Sequence, residues 1–201
     1  LLFEQFIDAP LISITMAVIM LVAGFLFSAV AGYMAGLVGS SNNPISGVTI
    51  ATILSASLLL LLMLGHGNPA GPVAAILIGA VVCCSAAIAG DNMQDLKAGQ
   101  ILGATPYKQQ IMQAVGVTSA AVVIAPILSL LLRAYGIGDA TPEAPNALAA
   151  PQAALMASVA QGVFEGGLPW GMVGIGAALA VVIIGVDLWL ESKGSTFRTP
   201  V

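Results

Sequence analysis

Apolar residues run through this chain in five long blocks, each bounded by short clusters of glycine, proline, asparagine or charge. A hydrocarbon layer of roughly 30 Å takes about 20 residues of helix to cross. By that measure the blocks predict five membrane-spanning helices, at residues 11–38, 45–64, 72–89, 114–132 and 168–190. The first block exceeds a straight crossing, so it is tilted or partly outside the layer. Trp170 and Trp189 bracket the fifth, and their separation of about 28 Å along a helix suits aromatic anchors at two interfaces. The expected fold class is all-α, a polytopic transmembrane helix bundle.

Composition agrees with this pattern. Of 201 residues, 59% are hydrophobic and 7% charged, against about 25% charged in a soluble domain. The net charge of -4 is scattered, with no basic run suited to nucleic acid. The adjacent Cys83 and Cys84 point in different directions on a helix and read as small packing residues, not a redox or metal pair. The chain starts without Met, has no basic n-region or cleavage pattern, and stops just after a charged turn. We expect residues 1–201 to be a single membrane domain, an internal fragment of a longer chain.

Lysine and arginine set the expected topology. Lys97 and Lys108 fall between the third and fourth blocks, and Lys193 and Arg198 follow the fifth, so both segments are cytoplasmic by the positive-inside rule. The 133–167 connection, with Arg133, Asp139, Glu143 and Glu165, falls on the far side, as do Glu4, Asp8 and "GHGNPAG". Within that connection "PQAALMASVAQGVFEGG" is too short to span and suits a helix covering the bundle, or a surface or re-entrant helix. Ser28, Gly32 and Gly36 follow a small-x-x-x-small spacing that lets helices approach closely, and Gly174, Gly176 and Gly185 thin the fifth block in the same way.

Two polar stretches interrupt the apolar pattern. In "SSNNPISGVTIATILS" Asn43 can cap a helix whose first turn holds Pro44, which has no N–H to leave unsatisfied. This is either a plain turn at the membrane surface or a broken helix whose N–H groups and positive dipole end face a watery cavity. Ser46, Thr49 and Thr52 add hydroxyls on the following turns. A second pair, Asn68-Pro69, follows the next block, but the spacing is not that of the paired half-helices of water channels. In "AGDNMQDLKAGQILGATPYKQQ" a helix would put Asp91 and Asp95 one turn apart on one face with Gln94 beside Asp91, and Lys97 nearly opposite Asp95. Close carboxylates could hold a proton or a cationic group, or the stretch is a solvated cytoplasmic helix. Thr105-Pro106 reads as another cap and first turn, and no phosphate-binding glycine loop is present.

Other polar residues stand singly. His66 sits at a glycine-rich turn and reads as a loop residue. Asp187 lies within the fifth block, where a carboxylate is a functional candidate by default, with Glu191 and Lys193 near enough for an interfacial ion pair. Glu165 could face an outer vestibule, and Arg133 snorkels from the end of the fourth block. With no partner for His66 and no H-E-x-x-H, neither enzyme chemistry, a metal site nor a cofactor is expected.

"GDNMQDLKAGQILGATPYKQQ", together with the earlier "GLVGSSNNPISGVTIAT", closely resembles the oligopeptide transporter family, in its prokaryotic branch related to the yellow-stripe-like metal-chelate carriers. "LPWGMVGIGAALAVVIIGVDLWLESKGSTFRTPV" looks like a later region of the same family. The resemblance implies a proton-coupled importer of small peptides or peptide-like metal chelates, in a bacterial inner membrane, with more helices than these five. Its partners would be those substrates, membrane lipids and the remaining helices of the same transporter, with no nucleic acid. It singles out Asn42, Asn43, Pro44, Ser46 and Gly47, and Asp91, Met93, Gln94, Asp95, Leu96, Lys97 and Gly99, with Ala98 where the family favours Thr. Asn42, Asn43, Ser46, Gly47 and Gln94 are the substrate-binding candidates, and Asp91, Asp95 and Asp187 the proton-coupling ones. The competing expectations are a channel-like pore, whose flux would not saturate, and an accessory membrane subunit with no transport of its own.

Overall fold

The computed structural model describes residues 10–138 and 145–193. Glu4, Asp8, Asp139, Glu143 and Arg198, on which part of the charge argument rests, lie outside the described residues. Among the described residues six α-helices follow one another: α1 (Pro10–Val38), α2 (Ile45–Leu64), α3 (Ala70–Leu102), α4 (Pro106–Ala134), α5 (Pro151–Glu165) and α6 (Trp170–Ser192). All but α5 are long and apolar enough to cross a membrane. Among the described residues the extended structure amounts to one bridge, Ile137 with Leu148. The chain is an all-α membrane protein, and it divides into two compact units, Leu1–Gly166 and Gly167–Val201.

In the first unit α3 is the central element, with α1, α2, α4 and α5 all packed on it. It begins where the Asn68 side-chain oxygen accepts the Ala70 N–H at 3.0 Å. It ends at Gly103, whose φ of 74° is the left-handed conformation that closes helices at low cost in glycine. Between these points it runs unbroken for 33 residues, about 50 Å at 1.5 Å per residue. The charged stretch from Asp91 onward, read from the sequence as a connection after the third block, is therefore the last third of one helix.

Close-packed glycines and large side chains hold the layers together. α1 runs parallel to α3: the hydroxyls of Ser28 and Ser85 are hydrogen-bonded, and Met93 reaches Gly32, whose added Cβ would sit 3.6 Å from its Cγ. α2 runs antiparallel to α3 and lays Ile53 against Gly79, and α5 lays Phe164 against Gly71. A Cβ at either of these two glycines would collide with the partner side chain. Ile53, Leu60, Ile78, Val82 and Phe164 are buried. Lipid tails are as apolar as these side chains, so the contacts hold by van der Waals fit more than by exclusion of water. α5, 15 residues long, thus docks on the protein's own helices through Ala160, Val163 and Phe164.

α4 packs on α3 near the turn that joins them. Thr105 occupies its cap position in extended conformation and Pro106 opens its first turn, without a side-chain cap bond. Beyond α4, Gly138 N–H donates to the Leu148 carbonyl at 2.9 Å, which closes the described ends of the connection to α5. In the second unit, α6 places Trp170 at its first residue and Trp189 in its last turn, and the Lys193 ammonium stands 4.1 Å from the Trp189 ring centroid.

Candidate functional site

The break between α1 and α2 is built from local backbone chemistry. Gly39 takes φ 83°, a 3-10 turn covers Ser40–Asn42, and Asn43 is extended. Asn42 turns back and donates its Nδ2–H to the Val38 carbonyl at 3.2 Å, satisfying an acceptor that the end of α1 would otherwise leave open. Asn43 does not cap α2 as the sequence suggested; Pro44 holds the cap position and no side chain caps the helix. The Asn43 amide is instead drawn to α1, where Nδ2–H donates to the Ala31 carbonyl at 3.1 Å. Its Oδ1 is buried without a hydrogen-bond partner.

The first turn of α2 then presents Ser46 and Gly47, both exposed. Their N–H groups belong to the set that a helix leaves without intrahelical acceptors. Thr49 and Thr52 are different: both are buried, and their hydroxyls donate to the Ile45 and Val48 carbonyls at 2.8 Å. They face the core and add nothing to an exposed site.

The last third of α3 meets this break. Gly90 is buried, and a Cβ there would lie 2.7 Å from Asn43 Nδ2 and 3.6 Å from the Ala35 Cβ. One turn further, the Ser40 hydroxyl donates to Gln94 Oε1. The two polar stretches, about fifty residues apart in sequence, thus share one end of the bundle, with Asn42, Asn43, Ser46, Gly47 and Gln94 around the break. Asp91 and Asp95 are exposed, one turn apart on the same helix. The Asp95 carboxylate accepts from Gln113 Nε2 at 2.9 Å, and its backbone carbonyl accepts from Gln109 Nε2 at 3.2 Å. Lys97 donates to Gln100 Oε1 at 3.0 Å, on its own helix. Asp187 lies on α6 and is described with that helix alone.

Sequence reasoning does not single out several of the participants: Ser40, Gly90, Gln109 and Gln113. The run of Gln109, Gln110 and Gln113 at helical spacing after Thr-Pro is the one available signal. Gly90 owes its role to Asn43 and Ala35, distant in sequence. The assembled groups are amides, hydroxyls and carboxylates, which offer hydrogen bonds and charge to a polar solute. Among the described residues no group of three or more His, Cys, Asp or Glu gathers to hold a metal ion. His66 is exposed in the turn after α2, the far end of that helix from Asn43.

Comparison with known proteins gives the chain its relatives. The profile of the OPT oligopeptide transporter protein family matches residues 2–201. A protein of Haemophilus influenzae, named as a candidate oligopeptide transporter, is 36% identical over 222 aligned positions, covering 98% of this chain. The chain spans 35% of that relative's length. No solved structure matches. The chain belongs to the oligopeptide transporter family.

Proposed function

We propose that this chain, as a member of that family, forms part of a proton-coupled secondary transporter that imports small oligopeptides or peptide-like metal chelates across a bacterial inner membrane. The observation that carries the reading is the meeting of the broken α1–α2 connection with the Asp91–Gln94 turn of α3, through Ser40 to Gln94 and Asn43 against Gly90. Polar backbone at such a break is tolerated in a membrane where it lines a cavity for solute.

In this reading the first turn of α2, with Ser46 and Gly47, offers N–H donors and a positive dipole end to a substrate carboxylate. Asn42 and Gln94 supply amides beside it. Asn43 binds substrate from a position fixed by its bond to α1. Asp91 and Asp95 exchange the coupling proton, and Asp187 is a further carboxylate for that role.

The test is uptake by the full-length protein in proteoliposomes, with labelled short peptides and iron chelates of peptide-like ligands, with and without an inward proton gradient. Saturable uptake that collapses with the gradient is expected. Asp91→Asn and Asp95→Asn variants should lose the gradient-driven part while still binding substrate. Variants that keep full gradient-driven uptake would remove these two carboxylates from the coupling, and non-saturating flux would mark a pore.

A further inference from the structure

Among the described residues α4 packs on α3 alone. Of its 29 residues, all but Gln109, Gln113 and Leu131 are exposed. Leu131 lies in the last turn, so near the α3–α4 turn the helix is seated through two glutamines one turn apart. Both reach the same residue. Gln109 Nε2–H donates to the Asp95 backbone carbonyl at 3.2 Å, and Gln113 Nε2–H donates to the Asp95 carboxylate at 2.9 Å. A Cβ at Gly99, one turn beyond Asp95, would collide with the Gln109 carboxamide. The missing side chain on α3 thus leaves a place for one of the two glutamines.

The two bonds differ in what they sense. A backbone carbonyl accepts whatever the charge of its own side chain, so the Gln109 bond ties α4 to α3 without regard to that charge. A carboxylate is an acceptor only, and a bond to it is roughly twice as strong as one between neutral groups. The Gln113 bond is therefore weakened when a proton removes the charge. Asp95 is exposed and lines an open groove of about 470 Å³ beside Gln113, so a proton has access to it. The other ionisable groups of this end are Asp91 and Lys97 on α3, Tyr107 and Lys108 on α4, and Tyr33 on α1. Lys97 is bonded to Gln100. The α1–α2 break and α2 bring none, and Glu165 of α5 follows Phe164 at the Gly71 end.

We propose that Gln113 is a positioning residue for the proton step at Asp95. From α4 it holds one carboxylate oxygen, Oδ2, by a bond that the arriving proton weakens and the departing proton restores. The Gln109 bond keeps the helices together meanwhile, so the seat of α4 registers the proton without coming apart. This inference rests on the proton-coupling reading above.

The test uses the same proteoliposomes and the same labelled peptides and chelates, at a fixed inward proton gradient, with the pH of both sides raised together. Wild-type uptake is expected to fall at the alkaline end, where the coupling carboxylate no longer takes up its proton. Gln113→Leu removes a donor to the ionised group, and the fall should move to higher pH by about one unit. Gln113→Glu sets a second carboxyl against Asp95, where like charges resist ionising together, and should move it further the same way. Gln110→Leu, at an exposed neighbour, should leave the profile in place. Gln113→Glu keeps the side-chain length and decides the question if Gln113→Leu fails to fold. A folded Gln113 variant whose profile is unmoved or shifted to lower pH overturns the positioning role alone. So does one with no uptake at any pH, since it marks a residue that merely holds the helices together. A wild type whose uptake ignores the proton gradient overturns the coupling reading and this inference with it.

Discussion

Asn43 and Gly90 meet at the candidate site, and their chemistry explains each other. The Asn43 amide can reach the Ala31 carbonyl because residue 90 has no Cβ; one placed there would lie 2.7 Å from Nδ2. Asn43→Ala removes one hydrogen bond, at a cost of about 1 kcal/mol. Gly90→Ala displaces the same amide and should cost a similar amount or more. Because both act on one contact, the double variant should be less destabilised than the sum of the two, since truncating the asparagine side chain leaves space for the methyl group added on α3. Thermal unfolding of the full-length protein in detergent checks this, and strict additivity would mean that the two residues act independently. The local sequence could not reveal this pairing. Asn before Pro fits an N-cap by every nearby signal, and only the presence of α1 alongside offers the amide a different acceptor.

At the scale of elements, the apolar blocks were legible because each is a run of side chains that water rejects. The extent of α3 was not. Apolarity fails at Gly90, but Met93, Gln94, Leu96, Lys97 and Ala98 are good helix formers, and the backbone keeps its hydrogen bonds until Gly103. Hydropathy reports the surroundings of a helix, and helix propensity reports the helix itself; from Asp91 to the end of α3 they part company. α5 was ambiguous for a related reason: its length excludes a crossing, but its seat depends on Phe164 finding Gly71. Phe164 is only 2% exposed. Phe164→Ala should therefore destabilise the protein by about 3 kcal/mol or more, as truncations of buried aromatic residues do. A loss of thermal stability well below that would show that α5 rests on the helices without anchoring them.

At the scale of the whole molecule, the α1–α2 break and the α3–α4 turn belong to one end of the first unit, and the α2–α3 turn to the other. Lys97 and Lys108 argue that the first end is cytoplasmic. Single cysteines at Asn42, Ala104 and His66, introduced into full-length protein with Cys83 and Cys84 replaced by alanine, test this. An impermeant maleimide should label the His66→Cys variant in intact cells and the other two only after permeabilisation. Labelling that separates Asn42→Cys from Ala104→Cys would break the parallel arrangement of α1 and α3. The unbroken length of α3 has a mechanical consequence. A helix of about 50 Å without a break links its Gln94 end, which Ser40 holds, to its Gly71 end, where Phe164 is seated. The two ends of the first unit are therefore joined by one continuous backbone, and a displacement of either is passed into the helix that the other holds.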